Sequence, residues 1–370
     1  MKSYISFSTF DLKYTMYCIS FIILNIFLYL FIFNDDSDEN IINNHQLLVS
    51  SCIFLGFLLN FIPSLISNIK SNNNEYLSIK EIIKIFFLCI IFLIILFFRI
   101  IQQIINQNND EKDYENRFIF IELLLIFLNP CSSEVNYKHQ KFSFLIFTLI
   151  EIIKIIVFIL YKSSNNYSAI FNEIIISIFY AFYYIYIKRL MKYKYISPYT
   201  CNFVVGIINF PIVIIIYFII SFTSLGDDKS KYYVDNIFNL FKYNLNIINI
   251  MRLISLPIAY GISYSLLYKI IYDYTLYHAF IPLLIENFIG DMINLQIKSG
   301  IIFLISCFLI EFIMILIFTE IVELNFCELN KNLKKNIESR ALIESSLENE
   351  ENYKDEVDQE KKDLIIRANK

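Results

Sequence analysis

The stretch IIKIFFLCIIFLIILFFRIIQQII, residues 82–105, decides the fold. Its only charges are Lys84 and Arg99, and between them the chain is apolar without interruption. A soluble domain mixes apolar and polar residues at short period. A block of about twenty apolar residues is instead the length a helix needs to cross a ~30 Å hydrocarbon layer at 1.5 Å per residue. Comparable blocks lie at 14–33, 46–66, 117–130 and 141–161, then at 168–188, 200–225, 253–272, 276–291 and 299–321. The expected fold is therefore all-α: a polytopic transmembrane helical bundle of about ten helices. The fourth and ninth blocks are short and each carries a proline, Pro130 and Pro282.

Composition agrees. Of 370 residues 57% are hydrophobic and 18% charged, and the net charge of −4 leaves no basic surface for nucleic acid. The lipid bilayer and a small-molecule solute are the expected partners, and a homodimer is compatible with the sequence. The seven cysteines show no CxxC spacing and read as small apolar helix residues. The three histidines, His45, His139 and His278, lie in separate regions, which argues against a metal centre. No GxSxG, HExxH, P-loop or GxGxxG pattern is present, so neither an enzyme nor a cofactor is expected. Lys2 and Lys13 precede a first block long enough to act as an uncleaved anchor.

Loop charges orient the spans. One set of loops holds Lys70, Lys80, Lys138, Lys141, Lys188, Arg189, Lys192 and Lys194, and after the last block come Lys331, Lys334, Lys335 and Arg340. The opposite set begins with the acidic NDDSDEN (34–40) and NDEKDYEN (109–116). Ten spans with both termini cytosolic satisfy this pattern. The outer loop at 226–252 holds IFNLFKYNLNIINIM, a candidate surface helix, and Asn166 begins a glycosylation sequon. Residues 324–370 form a basic-then-acidic tail, expected to be cytosolic and disordered. Acidic dileucine patterns at 338–343 and 360–365 favour an endomembrane (Golgi, endosome or vacuole) over the plasma membrane.

Short blocks in fourth and ninth place divide the chain into two five-helix inverted repeats, 1–162 and 163–323. A shift of 160 positions lays Leu149-Ile150-Glu151 on Leu309-Ile310-Glu311, although the same tripeptide also occurs at 284–286 and 342–344. The rare residues carry more weight. Gly56 and Pro63 in block two match Gly206 and Pro211 in block seven, and with Pro257 and Pro282 they mark expected helix breaks.

Ionisable groups inside the blocks each cost roughly 2.5–3.5 kcal/mol at the bilayer centre and need partners or a wet cavity. Glu151 and Lys154, three apart, can neutralise each other or line a path, and Glu311 can pair with Lys154 or line a helix contact. Arg99 and Glu173 stand near block ends and can snorkel. Glu122 lies a few residues inside a short block. His278, Pro282, Glu286 and Gly290 recur every four residues on one helix face, a pattern suited to proton-coupled binding or to an interfacial histidine beside a locally paired carboxylate. Tyr184, Asn209 and Tyr264 belong to stripes that read as cavity lining or as ordinary helix packing.

Residues 178–214, IFYAFYYIYIKRLMKYKYISPYTCNFVVGIINFPIVI, resemble the drug/metabolite transporter superfamily in its nucleotide-sugar-transporter-like branch. The match rests on Ala181, Tyr184, Lys188, Arg189, Ser197, Pro198, Gly206 and Pro211: a small/aromatic helix ending in basic residues, then Ser-Pro, then a helix with Gly and Pro. It covers about forty residues, and the remainder agrees in layout. The resemblance implies alternating access around a central cavity that moves a small polar metabolite. The competing expectation is a non-transporting multi-pass protein, receptor-like or a scaffold.

Overall fold

The computed structural model describes residues 5–7, 11–28, 46–70, 79–108, 119–128, 138–161, 167–194, 196–222, 247–294 and 301–324. The segments between these ranges, Asn166 of the sequon and the tail after residue 324 lie outside the described residues, while Tyr167 and Ser168 of the sequon open α7. Among the described residues the chain is all-α apart from one short ribbon. Its helices are α1 (Leu12–Phe27), α2 (Gln46–Leu58), α3 (Phe61–Lys70), α4 (Ile79–Asn108), α5 (Ile119–Leu128) and α6 (Lys138–Tyr161). They continue with α7 (Tyr167–Lys194), α8 (Pro198–Phe222), α9 (Ile247–Asp273), α10 (Leu276–Asn294) and α11 (Ile301–Phe318). Each expected block carries a helix, the second being divided into α2 and α3. Among the described residues, four segments are long and apolar enough to cross a membrane: Ser50–Ser67, Phe171–Met191, Pro198–Ile216 and Ile250–Asp273.

The ends of these helices follow from local chemistry. Asp11 caps α1 by accepting from Lys13 N at 2.9 Å. Ser197 accepts from Thr200 N at 3.1 Å ahead of Pro198, the first residue of α8, so the Ser-Pro pair is a helix start. Lys188 of α7 reaches the far end of α9 and donates to the carbonyls of Ile271 and, at 2.5 Å, Tyr274. A cation there satisfies terminal carbonyls and favours the negative end of the helix dipole.

One expectation needs correction. Gly206, Pro211, Pro257 and Pro282 lie inside continuous helices, not at breaks. Gly56 is likewise helical. Only Pro63 accompanies an interruption, at Leu59–Asn60. A proline ring crowds the carbonyl four residues earlier, here that of Leu59. The turn is held because Asn60 N bonds to Phe57 O at 3.1 Å while its side-chain Nδ2 reaches Gly56 O at 3.4 Å and Gly261 O on α9 at 3.5 Å. At Pro211, Pro257 and Pro282 the one missing bond leaves the helix continuous.

Packing runs mainly between the first six helices and the last five. α4 packs on α7, α1 on α9, α5 on α7 and α1 on α10; α2 meets both α8 and α9, α4 also meets α8, and α6 lies along α11. The interior is rich in aromatic rings, with Phe54, Phe57, Tyr183, Tyr268 and Phe280 fully buried. Large apolar side chains are exposed in stripes outside, such as Leu145, Leu149 and Ile153 on α6 and Ile254, Ile258 and Ile262 on α9. Helices apolar on both faces are the mark of segments that meet no water on either side.

The sequence gives no hint of the remaining element. Ile5–Phe7 (β1) pairs antiparallel with Val322–Leu324 (β2), placing the segment before α1 against the segment after α11. Both therefore lie at one end of the bundle.

Candidate functional site

The polar centre is built where the α2–α3 turn meets α8 and α9. Ser265 on α9 donates to Asn60 Oδ1 at 2.5 Å and accepts from Asn202 Nδ2 on α8 at 3.3 Å. Seven residues along α8, Asn209 presents Nδ2 to the Cys89 carbonyl of α4 at 3.5 Å. Both asparagines are fully buried. Their Oδ1 atoms, and Ser177 Oγ on α7, have no hydrogen-bond partner among the described residues. An unsatisfied buried acceptor costs about 1–3 kcal/mol, so the two asparagine oxygens on α8 mark a place where a donor is wanted.

Around these atoms stands an aromatic cage. Phe92 meets Phe54 at 5.2 Å, Tyr183 at 5.3 Å and Phe57 at 6.0 Å between ring centroids, and Phe57 meets Tyr264 at 5.0 Å. The Tyr183 and Tyr268 hydroxyls bond to each other. Tyr184 is buried beside Tyr180 and edge-on to Phe280. Of the residues expected along a path, Tyr264 belongs to this ring cluster and Asn209 is buried against α4. A small apolar pocket opens elsewhere, among α5, α6, α10 and α11, lined by Leu123, Phe144, Phe147, Tyr277, Met314 and Phe318.

The ionisable candidates separate into distinct places. Arg99 and Glu173, expected to snorkel singly, pair across α4 and α7 at 3.2 Å. Pairing replaces snorkelling because Glu173 is 3% exposed and Arg99 is held beside it, its guanidinium 6.0 Å from the Tyr180 ring. Lys154 meets Glu151 on its own helix at 3.2 Å and Glu311 of α11 at 2.9 Å. The pairing of Glu311 with Lys154 and the local pairing of Glu151 both occur, on one ammonium. Glu122 is fully buried on α5, and Glu286 is half-buried on α10.

His278 belongs to the bundle end. Its Nδ1 lies 2.8 Å from Thr275 Oγ1, and its ring contacts Tyr14 and Tyr274 at 5.3 and 5.7 Å. Tyr14 donates to the His278 carbonyl at 2.8 Å. His278 is thus held among the aromatic rings of α1 and of the turn between α9 and α10. Around it, Lys13 pairs with Asp273 at 2.8 Å, Lys269 with Asp273 at 3.2 Å, and Tyr274 donates to Asp11. The Tyr274 hydroxyl holds the Asp11 carboxyl below its ordinary range. Burial, and then Asp11 itself, pushes the Tyr274 phenol up.

Sequence reasoning missed Asn60, Ser265 and the partners of Asn202. A usable signal existed: Asn60 is the one amide in an otherwise apolar run between Gly56 and Pro63. Among the described residues no group of three or more His, Cys, Asp or Glu could hold a metal ion. No protein-family model and no curated protein matches the chain.

Proposed function

We propose that the chain is a multi-pass membrane transporter that moves a small polar solute by alternating access between two five-span halves. One observation carries this reading: the packing between halves is symmetric under their exchange. Counting α2–α3 as one span, the order makes α1, α2–α3, α4, α5 and α6 the counterparts of α7, α8, α9, α10 and α11. Under that exchange α1–α9 becomes α7–α4, α1–α10 becomes α7–α5, and α2–α9 becomes α8–α4, while α2–α8 and α6–α11 map onto themselves; all of these contacts are present. A pseudo-two-fold relation of this kind is the architecture on which repeats rock about a site at their interface. In this reading both termini are cytosolic, the apolar outer stripes face lipid in an endomembrane, and the solute's donors meet Asn202 and Asn209. The resemblance of residues 178–214 to the drug/metabolite transporter superfamily points the same way.

The ring-filled centre favours a second reading, a non-transporting receptor-like or scaffold protein on the same frame. Flux into proteoliposomes of the purified chain separates the two. A panel of nucleotide sugars, amino acids and nucleosides, with and without a pH gradient, should include a transported class whose flux falls at least tenfold in Asn202→Leu. Absence of flux for every class overturns the transporter reading.

A further inference from the structure

The Glu151–Lys154–Glu311 cluster lies where the last helices of the two halves, α6 and α11, pack together. Two carboxylates approach one ammonium, at 3.2 and 2.9 Å, so they are each other's neighbours as well as its partners. Counted in their ordinary ionised forms the three groups carry one net negative charge. Water cannot spread that charge, since Glu311 is 1% exposed and Glu151 5%. Among the described residues no second cation pairs with either carboxylate. The charges acting on Glu311 are those of Glu151 and Lys154, and the Cys307 thiol lies one turn away on the same helix. Titratable groups on the neighbouring elements are Glu122 on α5, Tyr277, His278, Glu286 and Asp291 on α10 and Glu323 on β2, none of which supplies a permanent cation. Lys138 and Lys141 of α6 itself stand near the start of that helix, about three turns or more from Glu151.

The 160-residue shift makes Glu151 and Glu311 counterparts but sets Met314 opposite Lys154. The site therefore holds a pair of equivalent acids and a single base. An isolated ion in an apolar interior is far costlier than a balanced pair, and two carboxylates sharing a site relieve their repulsion by taking up a proton. Carboxyls at such depth mark proton relays in membrane proteins.

We infer that the cluster is a proton-binding site: one proton from solvent is shared by Glu151 and Glu311 against Lys154, taking the cluster from one net negative charge to neutral. If the halves move as proposed above, gain or loss of this proton changes the charge held between α6 and α11 and so couples protonation to their separation. That last step rests on the transporter reading; the proton site does not.

The test uses the full chain in lipid nanodiscs with carboxyl-¹³C-labelled glutamate, read by infrared spectroscopy at neutral pH. An isotope-shifted protonated-carboxyl band is expected in the native protein. It should vanish in Glu311→Gln and in Glu151→Gln, because the remaining carboxylate then balances Lys154, and persist in Glu286→Gln. Lys154→Met should roughly double it. Lack of the band in the native chain, which requires no variant to fold, overturns the proposal, as does a band unchanged in both cluster variants. A band without flux for any solute class would leave the proton site standing and remove the transporter; flux without the band would do the reverse.

Discussion

At Gly56 a single added methyl would overlap the Pro257 carbonyl oxygen and stand 2.9 Å from Gly261 N, and at Gly261 it would reach Gly56 O at 2.5 Å. Backbones that touch this closely leave no room for side chains between α2 and α9. Gly56→Ala is therefore expected to cost about 1–3 kcal/mol through forced separation, seen as a lowered thermal midpoint in detergent. Asp11 supplies a pH-dependent counterpart. Its folded carboxyl lies below its ordinary value of about 4, so the unfolded chain binds the proton more readily. The contribution is complete above that ordinary value and disappears as pH falls through the lower, folded one. Protection of the amides at the start of α1, taken relative to their intrinsic exchange at each pH, should fall in that acid window, and Asp11→Asn should remove this fall.

Among the elements, the apolar block at 200–225 begins two residues late, since Ser197-Pro198 just ahead of it is the cap and first residue of α8; that chemistry is local and can be read from the sequence. The α2–α3 interruption depends on Gly261 and Ser265, two hundred residues away in sequence, as well as on Pro63. No local rule separates Pro63 from Pro211, Pro257 or Pro282, and the positions of all four were legible while their consequences were not. The far end of α9 behaves similarly, since its cap is a side chain of α7. Lys188→Met should lose about 1.5–3 kcal/mol of charge-assisted bonding and raise amide exchange around residues 272–276.

For the molecule as a whole, the apolar blocks located every described helix of the bundle, four of them long and apolar enough to cross a membrane, because burial in lipid and burial in protein both demand apolar length. Which spans touch was not legible, and so neither was the site. The Glu151–Glu311 correspondence stood in the sequence, but a tripeptide that recurs by chance cannot be weighed until its two carboxylates are found on one ammonium. Cross-half packing makes a further prediction. Residues 1–162 and 163–370 expressed as separate chains should fail to persist alone yet copurify when coexpressed, because α4, α6, α8 and α11 find their main partners in the other half. Independent accumulation of either fragment would contradict this.

The β1–β2 ribbon has a mechanical meaning for such a molecule. A ladder of backbone hydrogen bonds twists readily but resists being pulled apart across its strands. The ribbon ties the segment before α1 to the segment after α11, at the bundle end where Asp11 and Lys13 also hold Tyr274 and Asp273. In the transporter reading proposed above, that end would be the pivot of a pair of tongs, with the jaws at the opposite end.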